Sequence, residues 1–167
     1  MRYFIYFMVA IFLFVGGCSK KDSSNSKKQE TQKENVVVKI DTHSKPTLII
    51  FEVNGCTYCK KLTHDINNDP SVKKRISKMS VYFVHADKDT HYMLMHKGEY
   101  IELTTKELSK VFGFRGGTPY IVVVDKNSNP VLTLPGYLKP DTFSKALDYV
   151  LNGSYNKMTL PEYLHMN

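Results

Sequence analysis

Residues 47–62 read TLIIFEVNGCTYCKKL, a near-continuous apolar run followed by two cysteines three positions apart. An apolar stretch with no polar alternation suits a strand covered on both faces. Beyond it, Cys59, Leu62 and Ile66 fall at spacings of three and four, so a helix opens at Cys56. The first turn of a helix has free backbone N–H groups and the positive end of the macrodipole, and both favour a thiolate at Cys56. The same turn brings the Cys59 sulfur within reach for a disulfide. In that arrangement Cys56 is the exposed nucleophile and Cys59 the shielded thiol that resolves a mixed disulfide.

Other chemistries compete for the pair. A structural zinc site needs four ligands, commonly two such cysteine pairs or one pair with two histidines. The chain has three cysteines, and the third is Cys18. No paired histidines follow at a suitable distance except His91 with His96, so no metal is expected at the cysteines. Haem attachment needs histidine directly after the second cysteine, and Lys60 stands there. A copper site is the second rival: His91, Met93 and Met95 share one face of a candidate strand, with His96 beside them. Tyr92 and Leu94 alternate with these residues, so methionine used as adaptable packing explains the pattern equally.

The ends of the chain differ from its middle. Residues 1–17 carry Arg2, an apolar run to Val15 and then Gly16-Gly17, which reads as a signal peptide rather than a membrane span. Val15-Gly16-Gly17-Cys18 resembles the bacterial lipobox, which implies lipidation at Cys18. Ser19 after it resembles outer-membrane sorting. The expected compartment is therefore the bacterial periplasm, with the protein lipid-anchored to a membrane, where thiols can oxidise. Residues 18–35 are the lipidated cysteine and a polar tether too poor in apolar side chains to fold. The formal net charge is +7, but only two arginines, Arg75 and Arg115, lie beyond Arg2. No basic stripe marks a nucleic-acid partner.

From residue 36 to 153 the pattern is that of one domain. Strands are expected at 36–40, 47–53 and 81–84, the last as a second buried strand, with Asp69-Pro70 capping a helix that turns Val72 and Ile76 inward. Residues 91–103 read as a hairpin around His96-Lys97-Gly98-Glu99. Thr104 or Thr105 caps a helix with Leu108, Val111 and Phe112 inward, ended by Gly113. Two more strands flank the turn 125–129, and Pro140 begins an amphipathic helix that Gly153 closes. Residues 154–167 form a tail with no clear pattern. The order is α/β, with parallel central strands implied by helical crossovers.

Residues 48–151 resemble the periplasmic thioredoxin-like thiol–disulfide oxidoreductases, particularly their lipoprotein and sulfur-oxidation-associated members. The resemblance is carried by Phe51 before Cys56-Thr57-Tyr58-Cys59-Lys60-Lys61-Leu62, by Asn68-Asp69-Pro70, by Gly117-Thr118-Pro119 and by Pro135-Gly136-Tyr137. It implies a thioredoxin-like fold, a central mixed sheet flanked by helices, here with a hairpin insertion before the second main helix. It also implies that Pro119 is cis against the active disulfide and that the Thr118 backbone pairs with a bound partner chain, with Tyr58 shaping the docking surface. Thioredoxin has tryptophan before its cysteines and Gly-Pro between them, and this chain has neither. Thioredoxin's buried carboxylate is replaced by Ile50, and Glu52, of the same strand parity, is the candidate proton shuttle.

The resulting expectation is a lipid-tethered monomer that exchanges disulfides with protein partners, as a reductase rather than an oxidase. It needs no cofactor, because the dithiol carries the electron pair, and it draws reducing equivalents from a membrane thiol donor. The alternative is a thioredoxin-fold lipoprotein that binds or delivers copper.

Overall fold

The computed structural model describes residues 37–166; the signal-like stretch, Cys18 and the tether lie outside the described residues. In chain order the elements are β1 (Val37–Ile40), β2 (Thr47–Glu52), α1 (Thr57–Asn68), α2 (Pro70–Ile76), β3 (Ser80–His85), β4 (His91–His96), β5 (Glu99–Thr104), α3 (Thr105–Val111), β6 (Tyr120–Val124), β7 (Pro130–Pro135), α4 (Pro140–Leu151), a 3₁₀ turn (Ser154–Asn156) and α5 (Leu160–Met166). Hydrogen bonding divides the strands into two mixed sheets, a four-stranded one in the order β3-β2-β6-β7 and a three-stranded one in the order β1-β4-β5. β2 runs parallel to β3 and antiparallel to β6, and β1 runs parallel to β4.

The apolar run of β2 is the axis of the core. Leu48 and Ile50 join Ile121, Val123, Leu62 of α1, Val72 of α2 and Phe143 of α4 on one face. Ile49 and Phe51 join Val122, Val124, Ile40, Leu94 and Leu108 on the other. Because side chains alternate along a strand, a run buried on both faces needs layers above and below. Helices α1, α2 and α4 supply one layer, while α3 and residues of the second sheet supply the other.

Three expectations need correction. The central pair of the four-stranded sheet, β2 and β6, is antiparallel, and parallel pairing in that sheet joins β2 to the edge strand β3, because β6 follows α3 from the opposite end of the sheet. β3 is the edge of its sheet, and Phe83 is exposed, so the stretch 81–84 is not a buried strand. Val111 points outward from α3, leaving Leu108 and Phe112 to fill the core. Residues 154–166, where the sequence shows no clear pattern, cover part of the core: Tyr155, Met158, Leu160 and Tyr163 pack on the first core cluster. The Tyr149 hydroxyl donates to the Met158 carbonyl at 2.7 Å, and the Tyr149 and Tyr163 rings lie 5.4 Å apart. Ending the chain at Gly153 strips this cover. The expected cost is about 2 kcal/mol of lost apolar burial, or roughly 5 °C in thermal midpoint for a domain of this size. A scan of the truncated protein by circular dichroism checks it.

Helix starts follow local chemistry. The Asp69 carboxylate accepts the N–H groups of Ser71 and Val72 and the Ser71 hydroxyl, with Pro70 at the first helical position. Thr104 and Glu107 form a reciprocal capping box on α3. These hydrogen bonds hold the Asp69 and Glu107 carboxyls below the usual carboxylate range. A carboxyl whose folded-state pKa is lowered stabilises the fold above its unfolded pKa, and that stabilisation is lost as pH falls through the folded value. Asp69→Asn keeps a capping oxygen but removes the titration. Its stability is expected to fall less steeply than the wild type's between about pH 5 and pH 2, as read by urea denaturation across that range.

Candidate active site

The β2 strand ends at Glu52, and Val53, Asn54 and Gly55 turn the chain into α1. Gly55 has φ of 78°, a left-handed conformation that glycine takes without steric cost. The Asn54 N–H donates to the Asp87 carboxylate at 3.0 Å, which ties this turn to the segment after β3.

Cys56 is the N-cap of α1, and it is bonded to Cys59 in a disulfide with a Cα–Cα distance of 5.3 Å. The Cys59 N–H donates to Cys56 Sγ at 3.1 Å, so an N-terminal helix donor already points at that sulfur. In the reduced protein the same donor favours a Cys56 thiolate. Cys59 is 4% exposed, whereas Cys56 is only partly covered. The asymmetry follows from the helix: Cys59 shares its inward face with Leu62 and Ile66.

Three segments meet at this end of the four-stranded sheet. Phe51 of β2 is in register with Tyr120, and Tyr120 with Pro135, so the turns before β6 and after β7 flank the end of β2. The Thr118–Pro119 peptide is cis, Pro119 is buried, and its carbonyl accepts the Gly136 N–H at 2.8 Å. The next residue, Tyr137, stacks on Tyr58 with ring centres 5.8 Å apart and 25° between planes. Tyr58 itself is 56% exposed, an unusual position for a large aromatic that no core contact explains. The Tyr137 hydroxyl donates to Asp65 of α1 at 2.7 Å, and that carboxylate pushes the phenol pKa above its usual value. The Tyr58–Tyr137–Asp65 linkage was not legible in the sequence, because it joins α1 to a turn 72 residues away.

Glu52 lies on the α1 side of β2, the side of Leu48 and Ile50. Its carboxylate is 3.3 Å from His85 Nδ1, and the two residues are register partners between β2 and β3. The proximity of His85 to Glu52 comes from strand register.

The His/Met hairpin is built differently. Tyr92 and Leu94 are core residues, and Met95 is also buried, with its carbonyl accepting the Ser128 hydroxyl. His91 Nδ1 is engaged with Glu102 at 2.7 Å. Among the described residues no group of three or more His, Cys, Asp or Glu side chains is placed to hold a metal ion. Among them, too, no helix is long and apolar enough to cross a membrane.

A strand-end dithiol on a helix N-terminus, beside a loop with a cis proline and inside this α/β frame, defines a thioredoxin-like protein. The family model of the thioredoxin-like domain matches residues 33–151, and the chain belongs to that family. Among solved structures it is similar to a thioredoxin-fold protein from Helicobacter pylori, at 26% identity and a TM-score of 0.68, over 77% of this chain and 87% of that one. It also matches the oxidised C-terminal domain of DsbD from Neisseria meningitidis, at 22% identity and a TM-score of 0.45, over 62% and 78% of the two chains. The periplasmic thioredoxin SoxS from Paracoccus pantotrophus matches at 17% identity and a TM-score of 0.45, over 66% and 99%. No curated protein matches the sequence. Family and dithiol together support thiol–disulfide oxidoreductase chemistry in general.

Proposed function

We propose that this protein is a protein-disulfide oxidoreductase that works outside the cytoplasm, in the reducing direction, from a lipid anchor on Cys18. The observation that carries the chemistry is the Cys56–Cys59 disulfide at the N-terminus of α1, with Cys56 half-buried and Cys59 buried. The compartment and anchor are read from Val15-Gly16-Gly17-Cys18, and the direction from the resemblance to periplasmic thioredoxin-like proteins.

In the proposed cycle the Cys56 thiolate attacks one sulfur of a partner disulfide, and the partner's second sulfur leaves as a thiolate. Cys59 then attacks Cys56 in the mixed disulfide, which re-forms the Cys56–Cys59 bond and releases the partner as a dithiol. The partner gains two electrons and the protein loses two, so a thiol donor at the membrane must reduce Cys56–Cys59 again. The Thr118 backbone beside Pro119 pairs with the partner chain, and Tyr58 contacts it from α1. Glu52 is the candidate for moving the proton of Cys59, with His85 beside it.

Catalysed reduction of a protein disulfide by dithiothreitol tests this reading. Acceleration is expected with the wild type and not with Cys56→Ser. Equal rates with both proteins would overturn it.

A further inference from the structure

The surface on both sides of the disulfide end is rich in cations. On the α1 side, the cations Lys60 and Lys61 line an open groove of about 520 Å³ together with His64 and Tyr137. Lys61 Nζ sits 5.3 Å from the centre of the Tyr58 ring, which joins the aromatic pair to this charged wall. The carboxylate in that groove, Asp65, is already engaged by the Tyr137 hydroxyl at 2.7 Å and lies 3.5 Å from His64 Nδ1. Across the sheet, on the α3 side, Lys88, Lys106 and Arg115 line a second groove with Asp89. It reaches Gly116, two residues before Thr118. The nearby Asp87 carboxylate is held by the Asn54 N–H at 3.0 Å. Around the dithiol, then, the unengaged charge is predominantly positive.

We propose that this end of the molecule selects protein partners whose reactive cysteines are flanked by acidic residues. The proposal rests on the oxidoreductase reading and adds the substrate class to it. Clustered charge of one sign raises the encounter rate with the opposite sign by 10- to about 1000-fold at low salt. Acidic side chains of a docked segment meet Lys60 and Lys61 on one side of Cys56 and Arg115 on the other. Tyr58 and Tyr137 offer the segment's backbone and apolar groups a flat surface between those charges. A basic segment meets the same cations as repulsion.

The test uses the reduced full chain in detergent and two peptides with the same internal disulfide, one flanked by glutamates and one by lysines. Rates of peptide reduction are followed by stopped flow. The acidic peptide is expected to react about tenfold faster at low ionic strength, with the preference shrinking as salt is added. The double reversal Lys60→Glu with Lys61→Glu is expected to invert the order of the two peptides. Lys73→Glu with Lys74→Glu changes net charge equally on α2 and is expected to keep it.

Equal rates for the two peptides, or a preference abolished as fully by the α2 reversal, overturns the proposal. Equal peptide rates together with sedimentation on anionic phosphatidylserine vesicles that the Lys60/Lys61 reversal abolishes would assign these cations to a lipid surface instead. No exchange with either peptide would overturn the oxidoreductase reading, and this proposal with it.

Discussion

Cys59→Ser is expected to accumulate a covalent complex with partner proteins, whereas Cys56→Ser is expected to form none. The asymmetry follows from the first turn of α1. Cys56 is the less buried of the two cysteines, and the Cys59 N–H is directed at its sulfur from 3.1 Å. Cys59 is 4% exposed, so an approaching partner disulfide meets Cys56 first. With Cys59 replaced, the mixed disulfide has no internal thiol to resolve it, and it persists until an external thiol arrives. Resolution within the protein has the advantage of proximity, which in well-oriented systems corresponds to effective molarities of about 10⁵ M or more. The persistence should therefore be large enough to see on a non-reducing gel as a shift removed by dithiothreitol. Equal trapping by both variants would mean that either sulfur can attack, and that the burial difference has no part in the chemistry.

The second large effect is on stability. Phe51→Ala is expected to cost about 3–5 kcal/mol, a large share of the ~5–15 kcal/mol that stabilises a typical domain. Phe51 is fully buried. Its ring stacks on Phe114 at 5.0 Å and meets Phe112 and Tyr120 edge-on at 6.4 and 6.1 Å. These partners come from α3's end, the loop that leads to Pro119, and β6, so no single neighbour can move in to fill the space. Aromatic pairs of this geometry add about 0.5–1.5 kcal/mol beyond burial alone. Phe51→Leu retains much of the volume and should cost clearly less. Chemical denaturation of the three proteins checks the order; a loss below about 1 kcal/mol for the alanine variant would mean that the cluster collapses around the gap.

Much of the site was readable because its logic is local. A strand apolar on both faces, a glycine turn and a cysteine pair on one helical turn are all contained in residues 47–62. Asp69-Pro70 is likewise a complete helix-start signal in two residues, and the Lys97-Gly98 turn, with φ of 49° and 90°, is a complete hairpin signal. What escaped depends on register or distance. An apolar stretch such as Val81–Val84 reads the same at a sheet edge as in its centre, and only the pairing order decides. The Glu52–His85 contact exists because β2 and β3 are parallel in one particular register. Tyr58 looks like an isolated residue between two cysteines until the turn at Gly136 brings Tyr137 over it. The last segment hid for another reason. A 3₁₀ turn and a seven-residue helix are too short to show a 3.6-residue period, although their Tyr155, Met158, Leu160 and Tyr163 still cover the core.

These elements give the cis Thr118–Pro119 loop, the Tyr58–Tyr137 stack and the disulfide a common support at one end of the sheet. The proposed chemistry asks little more of the fold than that arrangement and a reversible dithiol. The measurement that bears on it most directly is a redox titration of Cys56–Cys59 in thiol–disulfide buffers, with free thiols counted at each potential. A reversible two-electron couple is expected, closer to thioredoxin's, about −270 mV, than to the strongly oxidising value of about −120 mV. A couple near the oxidising value would reverse the proposed direction, and the absence of any reversible disulfide would rule out dithiol exchange as this protein's chemistry.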